Sequence, residues 1–294
     1  MENNAQVMKE FDINHCFADD VKYENATYPD FWKTFWEQND GLGGFPTKGS
    51  VIDPDARSKK LYEFHKFLYE NKTLPIGGKF DFEISNYPLQ LRCRLPHRLT
   101  NFYFGSDTLV NTYCNWKYIR QNCILQIKKY EFDDNEIKLK EWGEEYIRKA
   151  YTIGNMIIFP KKPSINCARG RCGCIHDRLD LTIECIRRHY LQDDYNPLNK
   201  VLQANAIFFE LFGTGEEGFR NYIDFFFLKP IVNDDYKVKS LLPREKVQTF
   251  LCETNFERPL PQDRNEYKLW RKNSMEFIDE RNKIICDYLH KQVL

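Results

Sequence analysis

The sequence predicts an α+β fold, predominantly helical, with a small antiparallel sheet and a long C-terminal helix. Three patterns carry this reading. Apolar residues recur at helical period around 55–71 and again over 179–228. Between Lys79 and Tyr113 the pattern shortens to alternating runs punctuated by Pro88, Pro96 and Gly105. From about Asp263 to Lys291 a charged helical stretch carries the aromatic stripe Tyr267, Trp270, Phe277 and Tyr288. No repeat and no long low-complexity tract interrupts the chain. Residues 1–294 are therefore read as a single domain, with 1–10 flexible and the helix over 263–291 packed on the body.

Taken in order, Asp30 caps a short helix, FWKTFWEQND, that pairs Phe31 with Phe35 and Trp32 with Trp36 before Gly41-Leu42-Gly43-Gly44 stops it. Asp53-Pro54-Asp55 introduces a second, whose Leu61, Phe64 and Leu68 share a face. The runs Phe80/Phe82/Ile84, Leu89/Leu91/Cys93 and Phe102/Phe104 read as strands. Lys138 to Tyr151 returns to helix, and Met156-Ile157-Ile158-Phe159-Pro160 is short and β-branched enough for a buried strand. Helices over Leu179–Gln192, Pro197–Phe212 and Glu217–Leu228 precede the C-terminal one.

Composition bounds function. With 42% hydrophobic and 15% aromatic residues the chain can bury a sizeable core. Lys plus Arg equals Asp plus Glu at 43 each, so no global field recruits nucleic acid or an anionic membrane, and such binding has to come from a local patch. The apolar runs fall far short of the roughly 18 residues of a membrane span, so no membrane association is expected. MENNAQVMKEFDINH places acids and amides where a secretion signal needs a basic start, which points to the cytoplasm and to ten mostly reduced cysteines.

The chemistry-bearing stretch is Tyr151 to Tyr190. A polar loop, Ser164-Ile165-Asn166 to Arg169-Gly170-Arg171, runs into a helix that starts near Arg178 with Asp177 at the N-cap. Leu179, Ile183, Ile186 and Tyr190 form its buried stripe, which leaves Asp180, Glu184, Arg187, Arg188 and His189 on the other faces. Arginines next to a helix N-terminus suit forked recognition of phosphate oxygens, and carboxylates beside them suit metal-holding or acid–base work. The opposite reading is equally physical: Glu184 and Arg188 form an i,i+4 pair, Asp177 caps, and the remaining arginines satisfy buried carbonyls.

Other motifs carry less. Cys167, Cys172, Cys174 and His176 form C-x4-C-x-C-x-H, whose one-residue gap strains chelation by both thiolates, so no metal is assigned. Arg92 to His97 and Arg171 to His176 share an R-x4-H spacing, but Pro96 and Gly173 put both in loops. Gly213-Thr214-Gly215-Glu216-Glu217-Gly218 follows a helix rather than a strand and sets two carboxylates where a pyrophosphate would lie, so a dinucleotide fold is rejected. No motif identifies a cofactor.

FWKTFWEQNDGLGG, DPDARSKKLYEFH, FYFGSD, AYTIGNMIIFP, SINCARG, DRLDLTIECIRRHY and YIDFFFL together resemble an uncharacterised bacterial family of unknown function, over roughly Phe11 to Asn233. The resemblance implies a bacterial intracellular protein and leaves the reaction open. It emphasises Asn166, Arg169, Gly170, Asp177, Arg178, Asp180, Glu184, Arg187 and Arg188; the Cys172–His176 insert stands outside it. The expectation is a phosphate-containing ligand, a nucleotide or nucleic-acid end, held by Asn166, Arg169, Gly170, Arg178, Arg187 and Arg188 in a water-accessible hollow. Asp177, Asp180 and Glu184 would be the acid–base or metal-holding groups, with hydrolysis or transfer at phosphorus as the chemistry. The alternative is a non-catalytic interaction component, of a bacterial stress or phage-defence system, contacting a protein partner or a second copy through the C-terminal helix.

Overall fold

A computed structural model describes residues 12–20, 54–86, 88–95, 101–110, 148–171, 174–243, 256–259, 261 and 264–293. The expected flexible segment 1–10, the helix at Phe31–Asp40 and most of the helix ending at Tyr151 lie outside the described residues. Helix α1 (Pro54–Arg57) breaks at Ser58, whose hydroxyl accepts from the Leu61 backbone N–H at 3.1 Å and caps α2 (Lys59–Glu70). Strands β1 (Asp81–Asn86), β2 (Leu89–Arg94), β3 (Asn101–Thr108) and β4 (Met156–Pro160) form an antiparallel sheet in that order. Helices α3 (Leu179–Leu191), α4 (Asn199–Ala204), α5 (Ala206–Phe209), α6 (Gly215–Phe225) and α7 (Arg264–Val293) complete the described chain. The fold is α+β, as the sequence predicts.

Register explains why alternation was readable. Phe82 lies opposite Cys93, Ile84 opposite Leu91, and Leu91 opposite Phe104, so the apolar sets of three strands share one face. Every residue of β4 is buried, which accounts for its continuous apolar run. From the sheet the rings continue without a gap: Phe82 to Phe104 at 5.7 Å, Phe104 to Phe208 at 5.4 Å, Phe208 to Phe226 at 6.2 Å and Phe226 to Tyr69 at 5.2 Å. One apolar core therefore joins sheet and helices.

Two helices depart from expectation. The stretch over Pro197–Phe212 is not continuous: Asn205 ends α4, and its amide donates to the Pro163 and Val201 carbonyls at 3.1 and 2.9 Å. A short-chain amide that bonds to nearby backbone competes with the helical ladder, and this one also reaches a carbonyl outside the helix. Helix α7 does pack on the body, through Trp270, Phe277, Ile278, Ile285 and Leu289, and it also buries Arg281 completely. It lies so close to the turn Ile153–Asn155 that a Cβ on Gly154 would stand 2.5 Å from the Ile278 carbonyl oxygen. Lys72 ties the end of α2 to this region, donating to the Asp224 and Phe225 carbonyls with its ammonium 3.7 Å above the Phe227 ring.

His65 sits wholly buried on α2 with Nε2 3.0 Å from the Ser106 hydroxyl. Burial, and next the nearby Arg281 charge, push its pKa from 6.5 down to about 3. The folded state therefore keeps it neutral where the unfolded chain binds a proton. Its contribution is present above pH 6.5 and is lost as pH falls towards about 3, at about 1.4 kcal/mol per pH unit. Urea unfolding between pH 7 and 4 is expected to show this loss, and His65→Gln, which cannot titrate, to flatten it. An unchanged slope in the variant would assign the acid sensitivity elsewhere.

Candidate functional site

Arg169 stands at the centre of the predicted block, in a single π-helical turn (Cys167–Arg171), and it is 0% exposed. Its guanidinium makes four hydrogen bonds to protein acceptors and an ion pair. Nε donates to the Thr182 hydroxyl at 3.1 Å. Nη1 donates to an Asp107 carboxylate oxygen at 2.7 Å and the Thr108 carbonyl at 2.9 Å. Nη2 donates to the Leu109 carbonyl and forms an ion pair with Asp177, each at 3.0 Å. The guanidinium thus ties the end of β3 to the approach to α3, with the Phe159 ring 5.7 Å away.

Asp177 is not the N-cap of α3; that position is Arg178, with no side-chain cap. Arg178 is also buried. It grips Asp180 with Nε at 3.0 Å and with Nη2, and donates to the Pro259 carbonyl at 2.7 Å. Asp180 additionally accepts the backbone N–H groups of Leu181 and Leu241 at 3.0 and 2.9 Å, which saturates its four acceptor sites. At the next turn Glu184 takes both arginines. Arg187 approaches in a fork at 2.8 and 2.9 Å, while Arg188 donates at 2.9 Å and gives its Nη1 to the Tyr195 carbonyl at 2.8 Å. Asn166 donates to the Ser106 carbonyl at 3.4 Å, and Gly170 lies in the π turn between Arg169 and Arg171.

The predicted exposed face of α3 is therefore buried: Asp180, Glu184 and Arg188 are sequestered together with Leu179, Ile183 and Ile186. This corrects the expected hollow. Arg169 and Arg178 converge on carboxylates and carbonyls rather than on solvent, and Asp180 and Glu184 are enclosed by their partners. Partial access remains at Asp177 (13%), Asp107 (19%) and Arg187 (29%). Arginine was chosen over lysine here because only its planar fork satisfies so many acceptors at once without a proton to lose.

The cysteine-rich segment also departs from expectation. Cys167 is disulfide-bonded, which removes one thiolate from the C-x4-C-x-C-x-H set. Among the described residues no group of three or more His, Cys, Asp or Glu is arranged to hold a metal. Cys185 is packed in the core, where burial pushes its thiol up to about 12.

At the C-terminal end of α3 the described chain does open, into a cleft of about 430 Å³. Gln192 ends the helix in the left-handed conformation at φ 56°, and its N–H bonds back to the Arg188 and His189 carbonyls. Across the cleft the loop Gly213-Thr214-Gly215 enters α6, with Gly213 at φ 103° and Gly215 at φ 59°. Arg188, His189, Asp193, Asp194, Phe209 and Glu210 supply much of the wall. The His189 ring packs 5.1 Å from Phe209, and burial holds its pKa below the ordinary imidazole value, so it is neutral at pH 7. Asp194 has no partner among the described residues, whereas Asp193 accepts the Tyr195 N–H at 3.0 Å. Asp193, Asp194 and Glu210 thus line the cleft together with the Arg188 guanidinium, which is bonded to Glu184. The carbonyl end of α3 adds negative potential; the amide end of α6 opposes it, but Glu216 and Glu217 occupy that first turn.

Sequence reasoning placed His189 on an outer face of its helix and rejected the Gly213–Gly218 string as a dinucleotide motif, and did not bring the two together. Asp193, Asp194 and Glu210 carried no signal, since acids beside a helix end are ordinary surface residues. Asp107 closed the FYFGSD run, but nothing in that run names an arginine 62 positions away as its partner.

The architecture is an α+β fold stapled at its centre by arginine–carboxylate pairs, with an acidic cleft at one helix end. The chain belongs to the family of unknown function DUF6994, whose family model matches residues 11–285. That match runs well past Asn233, where the sequence resemblance ends, and takes in most of α7. No curated protein and no solved structure matches the chain. Among the described residues no helix is long and apolar enough to cross a membrane.

Proposed function

We propose that this protein is a binding module whose cleft between the end of α3 and the start of α6 receives a cationic group. The observation that carries the reading is the cleft wall itself: Asp193, Asp194 and Glu210 line it together with the neutral His189 ring. A guanidinium or ammonium gains from the carboxylates, whereas a phosphate meets repulsion there. The complete burial of Arg169 among its carboxylate and carbonyl partners weighs against a phosphate clamp in the arginine block, and the enclosure of Asp180 and Glu184 weighs against catalysis by them. This favours the interaction reading of the chain over the nucleotide reading, with the partner meeting the α3 end rather than α7.

The test is titration of the full chain at low ionic strength with ethylguanidinium chloride, with inorganic phosphate and sodium propionate alongside. Saturable binding of the cation is expected. Asp194→Asn and Glu210→Gln should each weaken it about two- to five-fold, the value of one exposed ion pair, and Asp194→Asn, at an aspartate with no partner among the described residues, should do so without a shift in melting temperature. Tighter binding of phosphate than of the cation, or affinity indifferent to both substitutions, would overturn the proposal.

A further inference from the structure

We infer that the natural occupant of the cleft is a segment of another protein, presenting an arginine or lysine side chain with apolar residues on either side of it. This rests on the cation-binding reading above and adds the class of partner.

Five large hydrophobic residues are exposed among the described residues, and three of them are immediate chain neighbours of cleft-lining positions. Leu191, 38% exposed, lies between Tyr190 and Gln192; Tyr195, 53% exposed, follows Asp194; and Ile207, 38% exposed, follows Ala206. Single exposed hydrophobic residues are ordinary on any surface, but a set gathered beside one polar recess is the composition of a recognition surface. A free amine or guanidine of metabolic size would fill the recess and leave these side chains in water. A polypeptide satisfies both, because its basic side chain enters while its neighbours cover the apolar residues beside the opening. Nucleic acid fits poorly, since the recess carries the same sign of charge as a phosphate backbone.

Local order favours such a surface. Arg188 holds the Tyr195 carbonyl at 2.8 Å with its guanidinium 5.5 Å from the Tyr195 ring and 5.0 Å from Phe256, so the segment after α3 is anchored from below. The opposite wall is anchored as well: the Asn221 amide donates to the Phe212 carbonyl at 2.9 Å, and a Cβ on Gly218 would stand 2.6 Å from the Gly213 carbonyl carbon. A recess built on fixed walls loses little conformational freedom when it binds.

The experiment compares ethylguanidinium with two capped peptides, Gly-Leu-Arg-Leu-Gly and Gly-Ser-Arg-Ser-Gly, by calorimetric titration of the full chain and of the Leu191→Ser/Ile207→Ser double variant. The leucine peptide should bind at least about ten-fold more tightly than ethylguanidinium, a difference of about 1.4 kcal/mol. The double variant should lose that advantage while binding ethylguanidinium unchanged. A leucine peptide no tighter than the serine peptide, or an advantage that survives in the double variant, overturns the inference and leaves cation binding standing. Absence of binding by all three probes overturns the cation reading, and the inference falls with it.

Discussion

Arg281→Met is expected to cost about 4 kcal/mol or more of folding stability, which is a large share of the roughly 5–15 kcal/mol that holds a domain together. The side chain is fully buried and no carboxylate is among its partners. Nη1 donates to the Ile153, Gly154 and Met156 carbonyls at 2.9–3.0 Å, Nε and Nη2 to the Phe226 carbonyl, and Nη2 also to the Tyr69 hydroxyl at 3.4 Å. Those carbonyls belong to the turn that launches β4 and to the end of α6, so one cation satisfies two chain reversals that lack a regular ladder. Methionine fills similar volume but strands the acceptors, at about 1–3 kcal/mol for each one left without a donor. A melting temperature lower by about 10 °C is expected from circular dichroism. Lys272→Ala on the same helix, which removes an exposed 3.7 Å pair with Glu276, serves as the control and should change stability by less than about 0.5 kcal/mol. A variant at Arg281 that melts with the wild type would show those carbonyls to be satisfied by other means.

Arg169→Met should destabilise by about 3–5 kcal/mol, because it withdraws the cation shared by Asp107 and Asp177 and leaves charge in a confined place. Adding Asp107→Asn should recover part of the loss, so that the double variant is more stable than the sum of the single effects by about 0.5–3 kcal/mol. The same pair separates two roles. Arg169 acts on the cleft only by positioning the approach to α3, so ethylguanidinium affinity measured well below the melting temperature should stay within about two-fold of wild type. Loss of binding without loss of stability would return Arg169 to the ligand and overturn the structural role assigned here.

Both effects are large for the reason that made these residues ambiguous in the sequence. An arginine among carboxylates reads identically as a phosphate clamp or as a buried staple, since residue type and spacing report chemistry but not accessibility. Arg178 and Asp180, two positions apart, are bonded to each other, and Glu184, Arg187 and Arg188 are paired at i+3 and i+4. Of these, the Glu184–Arg188 pair was legible from its i,i+4 spacing. The contacts that bury them were not: Arg169 to Asp107 spans 62 positions and Arg281 to Ile153 spans 128. The C-terminal helix shows the same limit. Its aromatic stripe predicted packing on the body, but Arg281 looked like one more charge on a solvated face.

What the sequence determined by itself is whatever depends on short range. Alternation placed the β1–β3 face, the run Met156–Pro160 marked a buried strand, and the 4-3-4 spacing from Leu179 to Tyr190 set the inward face of α3. Period and propensity act over a few residues, so a linear string carries them whole. Tertiary structure alone decided that α3 is surrounded on its polar faces too, that its arginines are spent on the fold, and that the open surface lies at its far end between Asp194 and Gly215. Burial is set by what arrives from distant parts of the chain, and the cost of leaving a charge there without partners is what brings those parts together.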